Sequence, residues 1–204
     1  MELFAFQLLY DNIHDFKTTA MHVESEIRHH GIRSDSDGTV PTMQGRKHRD
    51  MWVSMKTVSH YNLGVALELM LKLILHLTNK PIPRGKQGHC LAKLYGQIPE
   101  EYQDRLESTY RSVLPADGLT LIAFACTPTR RTPPQPPVNR EISNLQGWFE
   151  YLDSDLRWWE KRYSWEALDG GRWCHHLSDI STFVELINRV MLQIERPSVA
   201  GVGE

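Results

Sequence analysis

The sequence has few cysteines, no excess of either charge and no long uninterrupted apolar run. Its three cysteines, Cys90, Cys126 and Cys174, are odd in number and far apart, so they indicate neither a disulfide framework nor a zinc knuckle. No metal site and no cofactor are therefore expected. The formal net charge of −2 over 204 residues gives no general attraction to polyanions, so a nucleic-acid site would have to be a local patch.

Signals for export and membrane insertion are also lacking. The N-terminus has no basic region of the kind that opens a signal peptide, and it soon reaches Asp11 and Asp15. The longest apolar run is interrupted by Glu68 and Lys72, which argues against a membrane-spanning helix. We therefore expect a soluble, cytoplasmic protein without a membrane contact, since unpaired cysteines fit a reducing compartment.

The length favours one domain, because 204 residues can bury a substantial core and no break in composition divides them. We predict a single helical domain over residues 1–196, followed by a flexible tail over 197–204. An insertion is expected at about 115–141. Within it, residues 127–138 contain five prolines and should form an exposed, partly polyproline II loop.

Two long helices are predicted from the apolar spacing. In the first, apolar residues recur at alternating steps of three and four until Gly31, and the row keeps a heptad spacing that favours lengthwise packing on another helix. The second runs from about residue 47 to 78, where Asn79 and two prolines end it. The two should be antiparallel. The apolar row of the first comprises Phe6, Leu9, Ile13, Phe16, Ala20, Val23 and Ile27.

Shorter helices are predicted for much of the remaining chain. One begins near His89, and the next has Pro99 as its first residue and runs to about Leu114. A capping box at residues 143–146, with Ser143 as the cap, opens another. The last spans about residues 176–194. The predicted fold class is thus an all-α, up-down helical bundle with a long proline-rich insertion.

Two short segments are compatible with β-structure. Residues 119–125 could form a strand or a buried extended segment, since they are apolar and carry no helical period. The Asp169-Gly170-Gly171 turn could join two short extended arms. The bundle would then contain at most one short β-hairpin.

A row of polar residues follows the second helix at steps of four: His60, Gly64, Glu68, Lys72 and His76. One interpretation is a solvated strip, because helices in bundles usually keep one side in water. The other is a polar seam at a domain or subunit contact, where the charge of Glu68 is compensated by Lys72 or by an arginine from elsewhere in the chain. Arg162 is the candidate for that arginine.

The apolar helix with Glu68 and Lys72 four residues apart is followed, after a short loop, by His89-Cys90-Leu91. These two features resemble the HEPN superfamily of small helical domains in prokaryotic defence and toxin systems. The later Arg162-Tyr163-Ser164-Trp165-Glu166 is similar to an Arg-Tyr-x-x-Glu signature of uncharacterised relatives. The resemblance implies an all-α homodimer from a microbe, in which Glu68, Lys72, Arg162 and Tyr163 form a polar network.

The resemblance leaves two functions open. Active HEPN proteins are metal-independent endoribonucleases with an Arg-x4-6-His motif, and Arg84 and His89 have this spacing. An imidazole can transfer the proton and a guanidinium can hold the phosphate. However, Gly85 follows the arginine, and the pair precedes the third helix, whereas the motif of active members opens the last core helix. In the alternative, His89 only begins a helix, and the protein is a non-catalytic module that binds nucleic acid or a protein partner.

Two other features bear on nucleic-acid binding. Arg46, Lys47 and Arg49 form the one dense basic cluster, at a predicted helix start, and are candidate contacts for RNA or nucleotide phosphates. The alternative is a solvated helix end. Four tryptophans lie between residues 148 and 165, and we expect them to build the core instead of stacking on bases.

Overall fold

The computed structural model describes residues 2–29, 46–114, 121–125, 142, 144–153, 173–177 and 180–195. Within these ranges, only the backbone is described for residues 2–6, 27–29, 46–54, 56–57, 121–125, 173–177 and 195. The described residues form six α-helices, so the predicted all-α class is confirmed at this level. The helices are α1 (Glu2–His29), α2 (Arg46–Leu77), α3 (Leu91–Gln97), α4 (Glu100–Val113), α5 (Leu145–Tyr151) and α6 (Ser181–Glu195).

The central helix is α2, whose stretch from Val58 to Leu77 is mostly apolar and mostly buried. Its fully buried residues include Leu67, Met70 and Leu71, and α1, α3 and α6 pack against this helix. The stretch Val58–Leu77 is long and apolar enough to cross a membrane, and most of it is buried inside the fold, as is usual for a core helix. The bounds of α2 agree with the prediction to within one residue.

The first helix, α1, packs along the length of α2, and this is the most extensive contact between two elements of the described chain. Ile13 and Ala20 of the predicted apolar row are fully buried, and Leu9 and Phe16 are half-buried against the same core. This part of the row therefore faces α2, as the heptad spacing predicts.

The other side of the core is formed by α4, α5 and α6 around an aromatic cluster. The fully buried Trp148 ring lies edge-on to Phe183, with centroids 5.6 Å apart, and Tyr110 stacks on Phe183 at 6.3 Å. The prediction of a core tryptophan is thus confirmed for Trp148. The other tryptophans of that group, Trp158, Trp159 and Trp165, lie outside the described residues.

Helix boundaries in the middle of the chain differ from the predictions by a residue or two. Pro99 is the N-cap of α4 and not its first residue; its carbonyl accepts hydrogen bonds from the amides of Tyr102 and Gln103. Asn144, not Ser143, caps α5, because its extended backbone places Oδ1 2.7 Å from the amide of Gly147.

The region of His89 also differs from the prediction. A 3-10 helix, Gly85–His89, precedes α3, so His89 ends this turn, and Leu91 is the first residue of α3. The prediction of a helix beginning at His89 is therefore displaced by two residues, with Cys90 in extended conformation between the two helices.

Two short strands are paired, but they do not form a hairpin. β1 (Leu121–Ala125) is antiparallel to β2 (Trp173–Leu177), with Leu121 opposite Leu177 and Ala125 opposite Trp173. The extended segment is confirmed as a strand over residues 121–125. The turn at residues 169–171 and the arm before it lie outside the described residues, so the hairpin stays a prediction. The prediction that the last helix begins at about His176 is wrong: the β2 backbone pairs with β1 there, and α6 begins at Ser181.

The proline-rich segment at 127–138, the turn at 169–171 and the tail at 197–204 lie outside the described residues. The bounds of the insertion and of the single domain therefore remain predictions.

Candidate functional site

Glu68 is a buried carboxylate with two partners. Its side chain is 7% exposed, and Lys72, one turn later and 17% exposed, donates a hydrogen bond from Nζ to Oε1. The pairing follows from helical geometry, because residues four apart lie on the same face. The polar row at this point is therefore a buried ion pair and not a solvated strip. A charge buried in this way needs a partner and additional hydrogen bonds.

His89 is the second partner of Glu68. Nδ1 of the imidazole lies 3.1 Å from both Oε1 and Oε2 of the carboxylate. The histidine side chain is nevertheless 60% exposed, so a buried carboxylate holds an imidazole at the surface. His89 thus bonds to a residue 21 positions earlier in the chain.

This contact determines which nitrogen of the imidazole is available. An ionised carboxylate can only accept, so Nδ1 of His89 carries the hydrogen and donates it to Glu68. In the neutral ring, Nε2 then has the lone pair, and it belongs to the exposed side chain. Such an imidazole can accept a proton, donate one when charged, or bind an anion in its charged form.

Two glycines shape the segment that carries His89. Gly85 has a φ of +63°, in the left-handed region, and turns the chain between Arg84 and the 3-10 helix. Gly88 is buried against Pro83, and a Cβ built on it would lie 2.4 Å from the Pro83 carbonyl oxygen. Only glycine allows the backbone to approach so closely, and this approach determines the position of the next residue, His89.

A second buried carboxylate, Asp153, bonds to Cys90 and to the two residues that follow it. Asp153 is 7% exposed and follows α5. Oδ1 accepts the amide hydrogen of Leu91 at 3.0 Å, and Oδ2 accepts that of Ala92 at 2.9 Å and the thiol of Cys90 at 3.0 Å. Burial first, and the hydrogen bond to Asp153 second, raise the pKa of the Cys90 thiol. This cysteine is accordingly a weak nucleophile.

Exposed cations surround His89 in the sequence, and we call this set the basic surface: Lys80, Arg84, Lys86 and Lys93. All four are exposed, and within the described part of the chain none of them has an ion-pair partner. Arg84 has extended backbone just before the 3-10 helix. In a 3-10 helix, side chains three apart are eclipsed, so Lys86, and not Arg84, shares the face of His89.

Several predicted site residues cannot be placed. Arg46, Lys47 and Arg49 lie at the start of α2, as expected, but their side chains are not among those described. Arg162 and Tyr163, the predicted remainder of the polar network, lie outside the described residues. Their roles remain predictions. Among the described residues, no group of three or more His, Cys, Asp or Glu is arranged to hold a metal ion.

The sequence analysis missed the basic surface and the role of Asp153. The basic surface had a clear signal: no Asp or Glu occurs from residue 69 to residue 99, although five lysines and arginines do. The second, Asp153, had only a weak signal, an acid directly after the apolar Tyr151 and Leu152. Its partners are 61 to 63 residues away, and no spacing rule connects positions so distant.

Comparison of the chain with protein-family models, with curated proteins and with solved structures finds no match.

Proposed function

We propose that the chain is a HEPN-like nucleic-acid-binding module whose basic surface binds the phosphate backbone of RNA. One observation carries this proposal: four exposed cations lie in a stretch of 31 residues, 69–99, that contains no carboxylate. The whole chain has a net charge of −2, so its negative charges lie elsewhere. Cations without partners bind polyanions readily, because they lose no existing ion pair when a phosphate arrives.

The proposal predicts a defined dependence on salt. Each phosphate neutralised on a single strand releases counterions, which contributes about −0.7 to the slope of log K against log salt. If all four cations contact phosphates, the slope should approach about −3. Binding should also depend little on sequence, because charge contacts to the backbone do not read the bases.

The test is fluorescence anisotropy of a labelled single-stranded RNA, titrated with protein at several salt concentrations. Lys86→Ala and Lys93→Ala should each weaken binding and make the slope less negative by about 0.7. Arg111→Ala is the matched control, since Glu107 already pairs with this exposed arginine on α4. Equal losses in all three variants, or no binding by the wild-type protein, would contradict the proposal.

A second candidate function is metal-independent cleavage of RNA, and the contact between Glu68 and His89 favours it. With Nδ1 bound to the carboxylate, Nε2 is the nitrogen available to take the proton of a ribose 2′-hydroxyl. The 2′-oxygen would then attack phosphorus, and the bond from phosphorus to the 5′-oxygen would break as that oxygen takes a proton from water. The charged imidazole afterwards returns its proton to solvent. The products are a 2′,3′-cyclic phosphate and a 5′-hydroxyl. Arg84 is the candidate to hold the phosphate as charge accumulates.

Cleavage is tested with purified protein, EDTA and an RNA in which one 2′-hydroxyl is replaced by hydrogen. That position should resist cleavage, because DNA-like sugars lack the nucleophile. His89→Gln should abolish activity, and Glu68→Gln should reduce it by about 10²-fold or more, as expected for loss of general acid–base catalysis. Equal residual activity in wild type, His89→Gln and Arg84→Ala would indicate a contaminating nuclease and exclude this candidate.

The remaining parts of the proposal follow the HEPN resemblance. The chain would act as a homodimer in the microbial cytoplasm, in a defence or toxin–antitoxin-type system with a protein partner. Arg46, Lys47 and Arg49 would add phosphate contacts, and Arg162 and Tyr163 would complete the polar network of Glu68 and Lys72. Light scattering after gel filtration tests the dimer, since a monomer mass at micromolar concentration would exclude it.

A further inference from the structure

Two buried carboxylates from different parts of the fold hold four consecutive residues. Glu68 of α2 binds the side chain of His89. Asp153, after α5, binds each of the following three residues: Cys90, Leu91 and Ala92. The exposed imidazole of His89 is therefore adjacent in sequence to residues held by a second anchor, which lies on a different element from the first.

Asp153 supplies the cap that α3 lacks. The first amide groups of a helix have no partner within the helix, and usually a side chain just before the helix accepts from them. Cys90 occupies that position and makes no side-chain cap. The two oxygens of Asp153 accept from the amides of Leu91 and Ala92 instead, at 3.0 and 2.9 Å. The negative charge of Asp153 also suits this end of a helix.

The position of α3 is coupled to that of His89 through a very short connection. His89 and Leu91 are two residues apart, so their α-carbons are separated by at most about 7 Å. The 3.1 Å contacts of Nδ1 with Glu68 tolerate little displacement, because a hydrogen bond is lost by about 3.5 Å. On the preceding side, the packing of Gly88 on Pro83 restrains the chain. Since the chain before His89 is restrained, the position of its imidazole should depend mainly on the position of the start of α3.

We propose that Asp153 is a positioning residue, which holds the start of α3 so that the imidazole of His89 stays against Glu68 at the basic surface. Asp153 does not itself reach the ligand. Its role in binding rests on the proposed RNA-binding function, whereas its effect on His89 does not. The two can therefore be measured separately.

The variant that tests this inference is Asp153→Asn, which keeps the shape of the side chain. One amide oxygen remains to accept from Leu91, but the NH₂ group is a donor that faces the donors of Ala92 and Cys90. The matched control is Asn144→Ala, which removes the cap of α5 and does not touch residues 89–92. Both variants should lower the melting temperature, since each loses a helix cap.

Two measurements on His89 and Cys90 should then separate the variants. Long-range ¹⁵N–¹H spectra report the tautomer of each histidine, and the signals of His89 are assigned as those that His89→Gln removes. In wild type, His89 should be the Nδ1–H tautomer. In Asp153→Asn, it should be a mixture of the two tautomers. Cys90 should also be alkylated faster in Asp153→Asn, as read by peptide mapping, because the carboxylate no longer favours the thiol over the thiolate. Asn144→Ala should change neither signal.

RNA affinity gives the functional measurement. Asp153→Asn should raise the Kd by about fivefold, the equivalent of losing one net hydrogen bond between His89 and the RNA, while Asn144→Ala leaves it unchanged. If wild type binds RNA and Asp153→Asn has the same Kd and the same His89 tautomer, the inference is overturned and the proposed function stands. If wild type does not bind RNA, the proposed function fails, and the tautomer alone decides whether Asp153 positions His89.

A measurement on the wild-type chain covers the case in which Asp153→Asn does not fold. Methylthio modification of Cys90 removes the thiol donor and inserts a group between Cys90 and Asp153. The His89 tautomer should change as it does in the aspartate variant. An unchanged tautomer in the fully modified, folded protein would overturn the inference.

Discussion

Gly88 provides the sharpest test of how the candidate site is built. The residue is buried in the 3-10 helix, directly before His89. A Cβ at this position would lie 2.4 Å from the carbonyl oxygen of Pro83 and 3.2 Å from its carbonyl carbon. Real Cβ contacts are essentially never shorter than 3.0 Å, so Gly88→Ala requires a shift of at least about 0.6 Å. The obstacle is backbone and not a flexible side chain.

The expected effect is a loss of about 2 kcal/mol in the free energy of unfolding. Overpacking of a rigid site costs about 1 to 3 kcal/mol, and Pro83 has little freedom to move because its ring restricts φ. Alanine also restricts the unfolded chain, which returns about 0.4 to 1 kcal/mol. The clash is the larger of the two. Urea denaturation followed by circular dichroism measures the difference, and the proposed RNA affinity should fall with the displacement of His89.

Two other glycines serve as controls. Gly96→Ala adds a methyl group to α3 in open space and should stabilise the protein by about 0.5 to 1 kcal/mol, because alanine favours the helix. Gly85→Ala also meets open space but must adopt a φ of +63°, which should cost about 1 to 2 kcal/mol. The packing argument is refuted if Gly88→Ala is as stable as wild type or as Gly96→Ala.

Three further predictions concern the core and its charged groups. Leu67→Ala should lower the free energy of unfolding by about 2 to 5 kcal/mol, because this fully buried side chain would leave a cavity. Glu68→Leu should cost about 3 to 5 kcal/mol, because Lys72 would be largely buried without its partner; adding Lys72→Leu should recover most of that loss. Stability should also fall above about pH 10. Burial raises the pKa of Tyr95 and Tyr110 to about 12, so the unfolded chain releases these protons first, and the loss is complete once the pH passes the folded values.

Each of these predictions has a control and a result that would contradict it. Leu8→Ala changes an exposed leucine of α1 and should stay within about 0.5 kcal/mol; a similar cost at Leu67 would contradict the core assignment. Glu185→Leu breaks an exposed pair with Arg189 and should cost less than about 1 kcal/mol. A Glu68→Leu loss of that size would contradict its burial. Tyr110→Phe should weaken the alkaline loss of stability, and an unchanged pH profile would contradict the tyrosine argument.

The helices that were predicted well are those whose signal is local. The bounds of α1 and α2 follow from apolar spacing over about eight or nine turns, so a single misplaced residue changes little. The pair of Glu68 and Lys72 was predictable for the same reason, because helical geometry alone brings residues four apart onto one face. Short elements were predicted less well. Asn144 replaced Ser143 as a cap, since neighbouring residues offered similar capping groups and the backbone conformation decided between them.

The long-range contacts of the candidate site are those that the sequence did not predict. The sequence presents Glu68 and His89 as two separate features, yet the carboxylate binds the imidazole. The path of the loop, with Gly88 against Pro83, brings them together. The pairing of β1 with β2 likewise required two segments separated by residues 126–172.

The spacing of residues along the sequence therefore determined which residues are helical, which helix faces are apolar and which charges lie side by side on α2. The long-range packing decided that a buried carboxylate from α2 and another from the end of α5 meet on residues 89–92. The physical reason is that spacing constrains residues within a few turns of each other, through backbone hydrogen bonds and shared faces. Contacts over 21 and 61 residues depend instead on how whole elements pack, and burial of the carboxylates follows from that packing.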